Sequence, residues 1–242
     1  MVSSPILAHH ALEYISLESA TIARFGEAVF HLHYDYMIDD VDDPQKDHWE
    51  VTPGLAYGLL PGVMADVHTH FAQFGNHLIA AEKQSSYAPG GPSPFLEALA
   101  ASVQFSIPTG TNFKTGAALT YEFPFQRSRD LLDGEEVFAG TIILSRELAQ
   151  HRNLTVNYSR IKDGDSVFSE GGIGIRSPLT ADEHGVAAGL EFLAANEGGS
   201  TSWTVLPGIY LPIGYQSILK TGLEFDEDGN ATHLNLTFMT SF

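Results

Sequence analysis

Cysteine is absent from this chain, which excludes a disulfide framework and any thiolate metal site. Basic residues are scarce. Lys and Arg number 12 against 30 Asp and Glu in 242 residues, a formal net charge of −18. That balance excludes a nucleic-acid partner, whose phosphates call for a positive surface. Long apolar runs are missing as well, and no stretch approaches the roughly 20 apolar residues of a transmembrane helix. The first ten residues lack the basic and apolar regions of a signal peptide, so an exported chain is expected to have had its signal removed. Helical periodicity is confined to a short patch around Ala11 to Ile15.

What the sequence has is alternation. From His233 to Phe238, Leu234, Leu236 and Phe238 share one face, with Phe242 beyond them, and His233, Asn235 and Thr237 share the other. This period of two marks a strand with one apolar and one polar face. The same pattern recurs from Glu27 onward. Phe30, Leu32, Tyr34, Tyr36 and Ile38 oppose His31, His33 and Asp35. Trp49, Val51, Leu55, Tyr57 and Leu59 oppose His48, Glu50 and Thr52, and Val63, Ala65, Val67 and Phe71 oppose Asp66, His68 and His70. Further strands centre on Val103, Leu119, Ile142, Val156, Ile173, Leu190, Val205 and Leu223, the eighth of the series being irregular and rich in glycine. About twelve strands result, with no linker dividing them.

Three features favour a membrane barrel over a soluble sandwich or a lipocalin-like barrel. Connections alternate between acidic or long ones (Asp39 to Lys46, Gly75 to Pro94, Gln126 to Glu135, Lys162 to Ser166, Ala195 to Ser200, Asp226 to Asn230) and mostly tight ones such as Leu60-Pro61-Gly62; outer-membrane barrels pair short periplasmic turns with longer external loops. Phe95 and Phe105, and Phe113 and Phe123, stand ten residues apart on apolar faces. At about 3.3 Å per residue and a tilt near 40° that spacing rises roughly 25 Å, the height of a lipid-facing band between aromatic girdles. The polar faces carry small residues, Gly, Ala, Ser and Thr, where a soluble barrel would need a bulky packed core. The expected fold is therefore all-β: a closed antiparallel transmembrane β-barrel of about 12 strands over residues 27–242, with short periplasmic turns and longer acidic external loops. Residues 1–26 are expected to form a leader at its mouth or in its lumen.

A Gly-Leu-x-aromatic element recurs as Gly54-Leu55-Ala56-Tyr57, Gly189-Leu190-Glu191-Phe192 and Gly222-Leu223-Glu224-Phe225, with Ala118-Leu119-Thr120-Tyr121 a looser copy. With Thr52-Pro53 and the terminal Phe242, these elements resemble the outer-membrane barrel family labelled for the meta-pathway of phenol degradation. The resemblance covers Glu27 to Phe242. It implies a roughly twelve-stranded porin or transporter for hydrophobic or aromatic compounds and brings no catalytic residues. Phe242 would be the C-terminal aromatic read by the barrel-assembly machinery.

With apolar faces toward lipid, the opposite faces line a lumen. His31, His33, Asp35, His48, Glu50, Asp66, His68 and His70 then share one wall, and His233 joins it because the last strand pairs with the first. Lys114 and Glu122 also face inward. His31, His33, His68, His70 and His233 are candidate metal ligands, since imidazole with carboxylate suits Zn, Cu, Fe or Ni; the alternative is a set of hydrated lumen side chains. No cofactor is certain, and a divalent metal is the one this wall admits. Asp39 to Asp43 offers carboxylates for Ca²⁺ or for ions bridging lipopolysaccharide, against a plain solvated turn. No His and Ser pair stands on the lipid face as an outer-membrane phospholipase would need, so an enzyme is not expected. The expected function is passive passage of a small solute across the outer membrane, among its lipid and lipopolysaccharide, with a mild preference for cations. The alternatives are a non-conducting barrel that binds a metal or houses a partner, and a soluble β-barrel or sandwich binding protein.

Overall fold

The computed structural model describes residues 14–38, 47–74, 95–110, 112–125, 135–148, 152–180, 185–214 and 216–242. The acidic loop at 39–46, with its proposed Ca²⁺ site, the Gly/Pro/Ser-rich loop at 75–94 and most of the loop at 126–135 lie outside them, as do residues 11–13 of the helical patch.

Alternation becomes twelve strands: β1 (Ala28–Met37), β2 (His48–Leu60), β3 (Val63–Phe74), β4 (Phe95–Pro108), β5 (Phe113–Pro124), β6 (Val137–Glu147), β7 (Asn153–Asp163), β8 (Ser166–Pro178), β9 (Ala187–Glu197), β10 (Ser200–Pro212), β11 (Ser217–Phe225) and β12 (Ala231–Ser241). Each pairs antiparallel with its sequence neighbours, and β1 pairs with β12, closing the sheet. Closure removes both edges of the sheet, so no strand is left with an unpaired side. The ladder from β10 to β11 skips Leu206 and Pro207, consistent with a residue that has no N–H to donate.

The faces follow the sequence period. Leu55, Leu99, Leu119, Ile142, Tyr158, Ile173, Leu190 and Leu236 are all exposed on the outside, as are Phe105, Phe113 and Phe123. An unbroken apolar belt of this extent on a water-facing surface would far exceed the few hundred Å² that soluble monomers tolerate. The belt is therefore a lipid-facing surface. Phe192 and Trp203 stack on it with ring centroids 5.7 Å apart.

At the end holding both described termini, Pro61–Gly62 joins β2 to β3. At the other end, 38–47, 75–94 and 125–136 are long connections, Gly164–Asp165 and Gly198–Gly199 are two-residue turns, and 226–230 takes five residues. The Gly198–Gly199 pair has φ of 58° and 88°. Two successive residues with positive φ make the hairpin turn whose twist matches the strands, which is why a glycine pair suffices where a longer loop was expected at Ala195 to Ser200.

The interior departs from the small, wet lining that the sequence suggested. Leu206, Ile143, Tyr210, Met64 and Met239 are inward and almost fully buried. What buries them is the segment 14–26, which lies inside the barrel. Ala23 packs with Val29, Ala56, Met64 and Met239, and Ala20 with Ala118 and Ile143. Near the terminal end the segment touches the wall as an isolated bridge between Phe25 and Gly58.

Candidate functional site

Two constructions fill the lumen: the anchorage of segment 14–26 and the histidine wall. The anchorage centres on Glu191 of β9, which is fully buried. Its carboxylate accepts the backbone N–H groups of Ile15 (2.7 Å), Ser16 (3.0 Å) and Leu17 (2.9 Å), and Tyr210 Oη donates to it at 3.3 Å. A segment outside any ladder must find partners for its buried amides, and an ionised carboxylate is the strongest acceptor the chain offers. Lys220 Nζ, also buried, donates to the Tyr14 carbonyl at 2.9 Å. Gln104 Nε2 donates to the Ser19 carbonyl (2.6 Å), Thr155 Oγ1 to the Glu18 carbonyl (3.2 Å), and Ala20 N to Ser145 Oγ (3.0 Å). Ser106 Oγ donates to the Ala20 carbonyl.

Inward glycines shape the seat. A Cβ on Gly172 would meet Leu17 Cδ2 at 2.6 Å, and one on Gly174 would meet the Tyr14 ring at 2.8 Å. At Gly208 and Gly222 it would strike Ile15. The glycines that make β8 look irregular as sequence include Gly172 and Gly174, the relief into which Leu17 and Tyr14 fit. Gly174→Val is expected to lower stability by about 1–3 kcal/mol through overpacking. The check is the midpoint of heat-modifiable gel migration, with Gly140→Val as control, since a Cβ at Gly140 makes only an ordinary contact at 3.7 Å. Equal midpoints would contradict the seat.

Of the residues expected on the lumen wall, the register brings some together and separates others. On β1, β2 and β3, His31 stands opposite Gly54, which stands opposite His68. Asp66 sits between the two imidazoles: His31 Nε2 lies 2.6 Å from Oδ2, and His68 Nδ1 lies 2.6 Å from Oδ1. His33 Nδ1 is 3.0 Å from Thr237 Oγ1. His70 Nδ1 contacts Glu50 Oε1, and its Nε2 is 3.7 Å from Glu122 Oε2. Thr52 Oγ1 also donates to Glu50, at 2.9 Å. Asp35 stands opposite Glu50. The rings of His33, His31, His68 and His70 form a file with centroid spacings of 5.0, 6.0 and 5.1 Å.

His233 stands apart from this file. It pairs with Met37, whereas His31 pairs with Met239. Six residues of strand, about 20 Å, separate the two levels, and His233 Nδ1 instead lies 3.4 Å from Glu224 Oε1. His48 begins β2 opposite Met37, at that same far end. Lys114 is engaged by the inner segment, donating to Thr21 Oγ1 at 2.8 Å. Phe242 is 70% exposed, and its backbone exchanges hydrogen bonds with Ala28 at 3.0 and 3.1 Å.

Glu18, on the inner segment, is the residue sequence reading missed on this wall. Burial, with the nearby Asp66 charge, pushes its carboxyl up to about 7. Its Oε2 is buried without a hydrogen-bond partner. Above the segment lies a cavity of about 500 Å³, lined by Ser16, Leu17 and Glu18 of the segment and by Thr120, Thr141, Asn157, Ser159, Glu170, Ser202, Thr204 and Glu224 of the wall. Its lining is hydroxyl-rich and its charged groups are acidic.

No family model matches the chain, and no curated protein does. The phenol-degradation label suggested by the Gly-Leu-x-aromatic elements therefore has no support. Among solved structures, the KdgM porin is similar at 8% identity, covering 88% of this chain and 99% of its own, with a TM-score of 0.59. The KdgM porin in complex with disordered oligogalacturonate aligns at 6% identity over 89% and 99%, with a TM-score of 0.58. LpxR from Salmonella typhimurium aligns at 8% identity over 88% and 99%, with a TM-score of 0.50. At these identities the likeness is one of fold: a closed antiparallel twelve-strand barrel of the outer-membrane type.

Proposed function

We propose that the protein is an outer-membrane pore that passes a small solute passively, with segment 14–26 narrowing its lumen. The observation that carries this reading is the cavity of about 500 Å³, with hydroxyl and carboxylate groups in its lining, inside a closed barrel whose outer surface is apolar. The end with Pro61–Gly62 would face the periplasm and the longer connections the exterior, with lipopolysaccharide and lipid around the belt, and Phe242 would be presented to the assembly machinery. The reading assigns no reaction to the chain. Porin structures of the same fold support it, one of them in complex with oligogalacturonate, but the charged groups described around this cavity do not suit a polyanion. Lys114 and Lys220 are taken up by the inner segment, and the cavity's own charges are Glu18, Glu170 and Glu224.

The expected result in planar bilayers is small conductance steps from the full chain, larger steps from a chain lacking residues 1–26, and reversal potentials in a salt gradient that favour cations. Absence of steps from both forms would refute the pore. Anion preference would refute the assignment of the cavity as its path.

A further inference from the structure

We propose that His31, Asp66 and His68 form a site in the lumen wall for a divalent transition-metal ion, of which Zn²⁺ is the representative. The inference is independent of the pore reading, since a barrel that conducts nothing can hold the ion.

Geometry comes first. The three residues each present a ligand atom, and these atoms lie within 4.8 Å of one another. Three adjacent strands bring them together by register, a firmer placement than loops give. Gly54 is what makes the placement fit. It stands between His31 and His68 on the strand between them, where a Cβ would collide with the His31 ring and come within 2.7 Å of His68 Cβ. Without a side chain on β2, the His31 imidazole can lie across that strand and reach Asp66 on β3.

Unmet bonding comes second. His31 is only 4% exposed, yet its Nδ1 has no hydrogen-bond partner among the described residues. Its Nε2 is the nitrogen turned to Asp66, so an ion shared with Asp66 would be held by that atom in place of the present hydrogen bond. Asp66 is contacted on both oxygens, by two rings at once. Glu18 is near enough for the Asp66 charge to act on it, and one of its buried oxygens lacks a hydrogen-bond partner among the described residues.

The donor set selects the ion. Two imidazoles and one carboxylate suit zinc and its first-row neighbours, whereas Ca²⁺ and Mg²⁺ take oxygen ligands almost throughout. Three protein ligands leave coordination positions free, as in sites that exchange a ligand or an ion. His33 and His70, the next rings of the file on either side, extend the same chemistry beyond the site.

The test uses the full chain, refolded in detergent, stripped with a chelator and titrated with zinc sulfate by calorimetry. Binding of one ion per chain is expected. Asp66→Asn and His68→Ala should each weaken it by at least the roughly 10- to 100-fold that loss of an outer-shell partner costs a metal site. Gly54→Val should weaken it comparably, and His233→Ala should leave it unchanged. Cobalt added instead should show d–d absorption that the Asp66→Asn protein lacks. Heat-modifiable migration confirms that each variant has folded; if Gly54→Val does not fold, the near-isosteric Asp66→Asn still decides. No heat and no cobalt bands from the native chain would overturn the site, as would undiminished zinc binding in Asp66→Asn and His68→Ala.

Discussion

Glu191→Ala is expected to release the inner segment from the wall. The native carboxylate accepts three backbone N–H groups and the Tyr210 hydroxyl, and alanine offers none of these bonds. Each buried donor left unmet costs about 1–3 kcal/mol, so the segment loses at least about 3 kcal/mol of anchorage unless water enters to replace it. Water entry is itself the readout. Tyr14 and Leu17, 3% and 8% exposed in the native barrel, should become chymotrypsin sites, and single-channel conductance should rise toward that of the chain lacking residues 1–26. Glu191→Gln keeps one acceptor oxygen and should fall between. Unchanged proteolysis and conductance in Glu191→Ala would mean that the carboxylate is not what holds the segment.

The second large effect concerns a single step along β5. Leu119 is 52% exposed on the outer belt, between Phe113 and Phe123, while its neighbour Thr120 lines the cavity. Because successive strand residues face opposite sides, Leu119→Arg places a charge in lipid near mid-height. That should cost about 2–4 kcal/mol in urea-driven unfolding from lipid vesicles. Thr120→Lys places its charge in the lumen, where it should leave the unfolding midpoint nearly unchanged but shift the reversal potential away from cations. If the two substitutions destabilise equally, the belt does not face lipid.

Strand number and faces were legible because alternation is a local property, written residue by residue as in Leu234, Leu236 and Phe238. The shared face of His31, His68 and His70 was legible for the same reason. Which of them meet was not, since that depends on how one strand slides past another. The pairing of His31 with Met239 moved His233 to a different level of the wall, and nothing local to β12 sets that offset. A leader at the mouth or in the lumen was expected, but where segment 14–26 seats was hidden for another reason. Its seat consists of missing side chains, and a glycine in a sequence does not say what fills its space. The recurring Gly-Leu-x-aromatic element shows this well. Gly54 makes room for His31, Gly189 for Tyr210, and Gly222 for Leu206 and Ile15. Three copies of one pattern solve three different packing problems, so their likeness carries no family signature.

The path of the inner segment has a consequence for how the molecule comes to be built. Followed from Ala23 back to Tyr14, its hydrogen bonds reach Met64, then Lys114, Ser145, Thr155, Glu191 and Lys220. Those partners lie on β3, β5, β6, β7, β9 and β11, in the order of the chain, at sequence separations that climb from 41 to 206. The segment is thus threaded against the direction in which the strands are laid down. Contacts this distant demand that long loops close before they are rewarded, and the last of them cannot form until β11 has arrived. Ten residues therefore act as a gauge of circumference: a sheet one hairpin short or one hairpin long would leave Tyr14 without Lys220.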